Sequence, residues 1–292
     1  MTNSQRDVIL VTGATGRVGR LVVDALLRAG TPVRALTRTP SSALLPDGVE
    51  VVPGDFANPE SLDPALDGAA AVFLVWSAPL ATAADVVARL ASRVGRRRVV
   101  YLSAPHQTPH PFFQQPNPLR AVHIEIERLL AAAPLDVTIL RPGMFASNAL
   151  HWWAPQIRAG DVVRWPYALA ETAPINERDI ATVAARALTA REHTDGDYVL
   201  TGPESLTQAM QVQAIGEAIG RPVRFEELSP DEFRRETAGV WPPAVADMLL
   251  AAWGAALGRA AFVTTAVEEI TGAPSRTFRQ WAADNAAAFD RD

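Results

Sequence analysis

Short β-branched runs alternate with amphipathic stretches through the first half of the chain. VILVTGA (8–14), PVRALTR (32–38), VEVVPGD (49–55), AAVFLVWS (70–77), RRVVYLSA (97–104) and DVTILRPG (136–143) read as strands. Near-continuous apolar runs of this length suit strands buried on both faces. Between them, GRVGRLVVDALLRAG (16–30) sets Val18, Leu21, Val22, Ala25 and Leu26 at helical spacing and stops at Gly30. AADVVARLASRVG (83–95) and LRAVHIEIERLL (119–130) carry the same signal. Strand–helix alternation of this kind predicts an α/β fold, a Rossmann-type doubly wound parallel sheet with helices on both faces.

After about residue 144 the rhythm changes and helices dominate. Ser229, Pro230 and Glu232 spell an N-cap, a proline in the first turn and a glutamate three residues on, which predicts a capping box. PAVADMLLAAWGAAL (243–257) and RTFRQWAADNAAAF (276–289) follow as helices. The expected organisation is an α/β domain over 1–150 and a smaller, mainly helical region over 151–292, interleaved with the sheet.

Composition narrows the chemistry. The 292 residues contain no cysteine, which removes disulfides, thiolate catalysis and cysteine metal ligands and suits a reducing cytoplasm. No apolar run reaches the ~18–20 residues of a membrane span. The start, MTNSQRDVILVTG, passes from a short polar tail straight into a strand pattern, so no secretory leader is expected. A net charge of −5 and the lack of a long basic block argue against a nucleic-acid partner. The RRR at 96–98 reads as a solvated edge. All 27 residues counted as Lys+Arg are arginine, so no lysine stands anywhere in the chain.

VTGATGRVG places Gly13, Gly16 and Gly19 where the first strand turns into the first helix. The first glycine permits the tight turn. The second lets backbone N–H groups approach a pyrophosphate at the positive helix end, and the third lets helix and strand pack closely. With Thr15, Arg17 and Val18 these residues form the expected phosphate loop. At the end of the second strand an NAD binder offers an acid to the ribose, but this chain reads RALTRTP. Arg38 between two threonines suits a 2′-phosphate, so NADPH is the expected cofactor; the other reading makes Arg38 a surface cation.

In combination, TGATGRVG (12–19), Gly54-Asp55-Phe56, TILRPGMFASN (138–148), INERDIA (175–181), YVLTGPESLT (198–207) and SRTFRQWAADNAAAF (275–289) resemble the atypical short-chain dehydrogenase/reductases of the NmrA-like group. The resemblance spans nearly the whole chain and singles out the group, not one reaction. It implies that Asp55 and Phe56 border the adenine, that Ser77 lies near the ribose, and that Arg141-Pro142-Gly143 passes close to the nicotinamide.

Most short-chain reductases use serine, tyrosine and lysine. By the resemblance, Ser103 takes the serine place, Leu119 falls in the tyrosine slot and His123 in the lysine slot, so the usual proton donor is absent. Isoflavone-reductase-like relatives place a working lysine in that helix slot. A histidine there is either a substitute that donates a proton or orients a water, or one polar position on an amphipathic helix. Glu125 and Glu127 read as a solvated or capping face. General acid help contributes about 10²–10⁴-fold, dispensable for a quinone or an activated ketone.

The segment APHQTPHPFFQQPN (104–117) is long for a connection at a ligand edge and reads as functional or mobile. It carries His106, His110, Phe112 and Phe113. The His-x-x-x-His spacing lies among prolines with no nearby acid, so no metal is expected. Together with Trp76, Phe145 and Trp152, beyond which lie Trp153 and Trp165, this loop predicts an aromatic substrate pocket. The competing reading of the tryptophans is plain core. Few charges at this edge suggest a flat, weakly charged substrate, a small aromatic or polycyclic carbonyl compound. The sequence reading is thus an NADPH-dependent ketone or quinone reductase, plausible for an aromatic polyketide-type secondary metabolite. Alkene or imine reduction stays open, as does a non-catalytic NADP(H) redox sensor of the type that names the group. A monomer or a homodimer is expected.

Overall fold

The structure, a computed structural model, describes residues 8–95, 97–190 and 196–291; the polar tail and Arg96 of the RRR run lie outside them. β1 (Val8–Val11) leads into α1 (Arg17–Arg28), followed by β2 (Val33–Thr37), β3 (Glu50–Pro53), the one-turn α2 (Asp63–Leu66), β4 (Ala69–Val75), α3 (Ala83–Val94), β5 (Arg98–Leu102), α4 (Pro118–Ala132) and β6 (Asp136–Pro142). The second half adds α5 (Asn148–Trp152), α6 (Ala154–Gly160), β7 (Val162–Pro166), β8 (Glu171–Thr172), α7 (Glu177–Thr189), β9 (Asp197–Leu200), β10 (Leu206–Thr207) and α8 (Gln208–Ala218). β11 (Arg224–Leu228), α9 (Pro230–Thr237), α10 (Pro243–Ala256), α11 (Ala266–Thr271) and α12 (Phe278–Asp284) complete the described elements.

The central sheet has seven strands in the order β3-β2-β1-β4-β5-β6-β9, every neighbouring pair parallel. Alternate residues of each strand feed two cores. On β4, Ala71 and Phe73 join the core under α1, α7 and α11, while Val72 and Leu74 join the core under α2, α3 and α4. The doubly wound Rossmann-type architecture and the six strands read from the sequence are both present. The seventh strand, β9, comes from the second half of the chain, so the sheet draws on residues beyond 150.

Strand order reverses between β1 and β4, and the crevice outside their carboxyl ends is where ligands bind in sheets of this kind. Thr12 closes the gap there: its hydroxyl donates to the Phe73 carbonyl at 3.1 Å and accepts from the Val75 amide at 2.8 Å.

Over that crevice sits the cap, built on the parallel pair β7–β11 and on α6, α8, α9, α10 and α12. Its core is aromatic: Trp165 has Trp152, Trp253, Trp241 and Phe233 around it at ring-centroid distances of 5.0–5.7 Å. The capping box stands at Ser229 and Glu232, where each side chain bonds the other residue's backbone N–H. The helix expected over 276–289 is interrupted. It starts at Phe278 behind a second capping box, Thr277 with Gln280, and leaves helical geometry at Asn285 before a short turn over Ala286–Phe289.

Candidate active site

The cofactor side is made of backbone. Gly13 has φ +62°, a conformation that glycine adopts without strain. A Cβ on Gly16 would lie 3.1 Å from the Gly13 carbonyl oxygen, and one on Gly19 would drive into that oxygen. No side chain caps α1 at Gly16, so its first-turn amides are left facing the crevice end of β1. This open helix start fits a dinucleotide pyrophosphate. Arg20 braces the loop by donating to the Thr15 carbonyl at 2.9 Å and to the Leu44 carbonyl at 2.8 Å. Arg17 turns to the cap, donating to the Ser147 carbonyl at 3.1 Å and meeting His151 Nε2 at 3.0 Å. Val18 is buried in the sheet core.

Arg38, just past β2, is exposed and engages no other side chain among the described residues. Asp55 is half-buried and orders its own turn, one carboxylate oxygen accepting from the Ala57 amide at 2.9 Å. Phe56 is stacked on Trp76 with ring centroids 5.2 Å apart, and the Trp76 indole N–H donates to the Ala78 carbonyl at 2.7 Å. Trp76 therefore packs on the α2–α3 side of the sheet and does not reach the substrate cavity expected for it. Ser77 is exposed after β4.

That cavity, of about 350 Å³, opens between the sheet and the cap. Ser103 and His106 follow β5; Phe112 and Phe113 come from the loop; Pro142, Gly143, Met144 and Phe145 follow β6; Met248, Leu249 and Ala252 come from α10. The 104–117 loop contains one helical turn, Pro111–Gln114, and is tied to the cap side by His110 and within itself by Gln114. His110 is bonded to the Ala260 carbonyl at 3.0 Å, and Gln114 donates to the carbonyls of His106 and Thr108. Gln115, Asn117, Leu119 and Arg120 form the entrance side, with Leu119 61% exposed. The tyrosine slot thus does face the cavity, and its side chain is apolar.

Behind Ser103 and His106 lies a polar network, buried at Arg141 and Glu127 and exposed at Asp197. Arg141, on β6 and only 1% exposed, is held in two fork-like pairs. It meets Glu127 at 2.7 and 2.9 Å and Asp197 at 2.6 and 2.9 Å. Burial opposes its charge, but the Asp197 and Glu127 carboxylates outweigh that and hold its pKa above the ordinary value. Glu127 also accepts the Ser103 hydroxyl proton and stands 3.5 Å from His106 Nε2. The expectation of a solvated Glu127 is corrected: it is 9% exposed, because α4 turns Ile126, Glu127 and Leu130 to the sheet. A lone arginine in an otherwise apolar strand needs a buried carboxylate, and that was the overlooked signal.

His123 is turned away from the cavity. Its Nδ1 shares a hydrogen bond with the Tyr101 hydroxyl at 2.7 Å, and it is absent from the cavity's described lining. Burial lowers the pKa of His123 and of His106, and burial followed by the Glu127 charge raises that of Tyr101. Ser103, His106, Phe112, Phe113, Phe145 and Pro142 are brought together at one cavity. Trp152 stacks on Trp165 in the cap core, following the core reading of the tryptophans. Among the described residues no three His, Asp or Glu side chains gather as a metal site, and no helix is long and apolar enough to cross a membrane.

Comparison with known proteins places this geometry. The model of the NmrA-like family matches residues 5–251. A (4-alkanoyl-5-oxo-2,5-dihydrofuran-3-yl)methyl phosphate reductase of Streptomyces griseus subsp. griseus is 40% identical over 287 residues, 97% of this chain and 99% of its own. An NAD(P)H azoreductase of Xenophilus azovorans is 32% identical over 295 residues, again 97% and 99%. The crystal structure of the Escherichia coli NADPH-dependent quinone oxidoreductase QOR2 with NADPH has a TM-score of 0.78 at 26% identity, covering 94% of this chain and 99% of that one. The chain belongs to the NmrA-like family, and its glycine loop and relatives make it a nicotinamide-dependent oxidoreductase.

Proposed function

We propose that this protein is an NADPH-dependent reductase of a compact, electron-poor conjugated compound, a quinone or activated ketone, with a conjugated alkene of the same electronic kind as an equal target. The observation that carries this reading is the cavity: aromatic and apolar on most sides, open to a small ligand, and without a tyrosine among its described lining residues. At about 350 Å³ it is near the lower end of small-molecule sites, so one or two rings fit better than a polycycle. The compounds for which the relatives are named, a butenolide phosphate, azo compounds and quinones, share such an electron-poor π-system.

NADPH, when bound, supplies the hydride. Gly13, Gly16 and Gly19 hold its pyrophosphate. Arg38 takes the 2′-phosphate, with Thr15, Asp55, Phe56 and Ser77 along the adenosine side and Pro142 beside the nicotinamide. Phe112, Phe113 and Phe145 clamp the flat substrate. Ser103 donates its hydroxyl hydrogen bond to Glu127, so toward the cavity it offers lone pairs that accept from and orient a hydroxyl or a water. The His106 ring, kept neutral by burial, is the proton-bearing group on the same wall. Acceptors whose reduced anion is already stabilised need no stronger acid.

The test is NADPH oxidation by purified protein with a naphthoquinone, an aryl ketone, a conjugated butenolide and a saturated ketone. Turnover is expected with the conjugated members and not with the saturated ketone. NADPH binding without turnover on any of them overturns the reductase reading in favour of a sensor.

A further inference from the structure

Arg120 is the third residue of α4 and lines the cavity, half-buried beside its entrance. Its guanidinium has no hydrogen bond or ion pair among the described residues. The other arginines of this neighbourhood are saturated: Arg128, on the same helix, is paired with Glu125 at 2.6 and 2.8 Å, and Arg141 is held by Glu127 and Asp197. No aspartate or glutamate is among its described lining residues, and Glu127 lies behind Ser103 and His106 with its oxygens already engaged.

A cation beside an apolar wall is poorly solvated and attracts a counter-ion. Among the described residues none is supplied. Burial disfavours the charged form of His106, the Glu127 charge opposes this, and the charges of Arg141 and then of Arg120 add to it. The guanidinium fork matches an oxyanion and makes two parallel hydrogen bonds to it. We propose that Arg120 is the substrate's anion anchor, so that the natural substrate carries a phosphate ester or a carboxylate in addition to its reducible conjugated group. This deepens the reductase reading and rests on it for the identity of the cavity. It also departs from the weakly charged substrate expected from the sequence: the charge sits at the entrance, and the flat part occupies the aromatic interior.

Isothermal titration tests the anchor without turnover. The protein is saturated with NADP⁺, so that the dinucleotide phosphate sites are filled, and titrated with phenyl phosphate, benzoate and neutral benzyl alcohol. At least one of the two anions is expected to bind about tenfold tighter than benzyl alcohol, and which one does so separates phosphate from carboxylate. Arg120→Gln should erase that preference while leaving benzyl alcohol and NADP⁺ affinities unchanged; Arg120→Lys should retain part of it. Equal binding of charged and neutral probes, a preference that survives in Arg120→Gln, or a matching loss of NADP⁺ affinity overturns the proposal. If the anions bind as expected in a protein that reduces nothing, the reductase reading falls and the anchor stands.

Discussion

The two sides of the cleft are built by different means. The cofactor side is local backbone: Gly13, Gly16 and Gly19 lie within one strand–helix turn, and what matters there is the absence of side chains and the uncapped start of α1. The substrate side is made of side chains from 103–106, 112–120, 142–148 and 248–252, carried to one place by the sheet and the cap. A local backbone shape is nearly invariant, while a wall assembled from distant segments changes chemistry with each substitution. One fold therefore keeps its cofactor and varies its substrate.

The contrast is open to attack, first where the inner wall rests on the Arg141 network. Glu127→Gln leaves the buried guanidinium short of a charge partner, and breaking such a pair costs about 3–5 kcal/mol. Urea unfolding should show a loss near the lower figure, since Asp197 remains, and the cavity's Ser103 and His106 lose their common support. A loss below about 1 kcal/mol would mean that Asp197 alone serves Arg141.

On the cofactor side the corresponding change is milder and selective. Arg38→Ala should raise the apparent KM for NADPH about tenfold while leaving that for NADH nearly unchanged, as one charge-assisted phosphate contact is lost. Equal effects on both nucleotides would remove Arg38 from the 2′-phosphate.

The smallest effect concerns His123. Its pKa is depressed by burial, as is that of His106, so below about pH 6.5 the unfolded chain binds protons that the folded chain refuses. Stability should fall between pH 7.5 and pH 5.5. His123→Gln should flatten that fall in thermal unfolding. Because the ring meets Tyr101 and not the cavity, kcat should change less than about threefold. A drop of tenfold or more at unchanged KM would make His123 a proton relay.

How much of this was legible follows the same division. The six strands, the α4 helix, the Ser229–Glu232 box and the glycine turn are patterns of near neighbours, and each stands where the sequence placed it. Trp76 and Trp152 read as pocket residues because aromatic character does not say which face of an element is turned in. One stacks on Phe56 and the other fills the cap core. Glu127 was misjudged because its partner lies fourteen residues on and across two elements. Arg120 went unremarked for the converse reason: its significance is the lack of a partner, which only the assembled cavity reveals.

β9 gives the architecture a consequence for recombination. The chain leaves the sheet after β6, lays down the start of the cap, and returns to add the edge strand at 197–200 before going back to the cap. A chimera joined at one point between β6 and β9 would take its edge strand from one parent and the neighbouring strand from the other. Mixing parents here cuts through the sheet, so a new substrate range has to be written residue by residue into the entrance loop and the segment after β6.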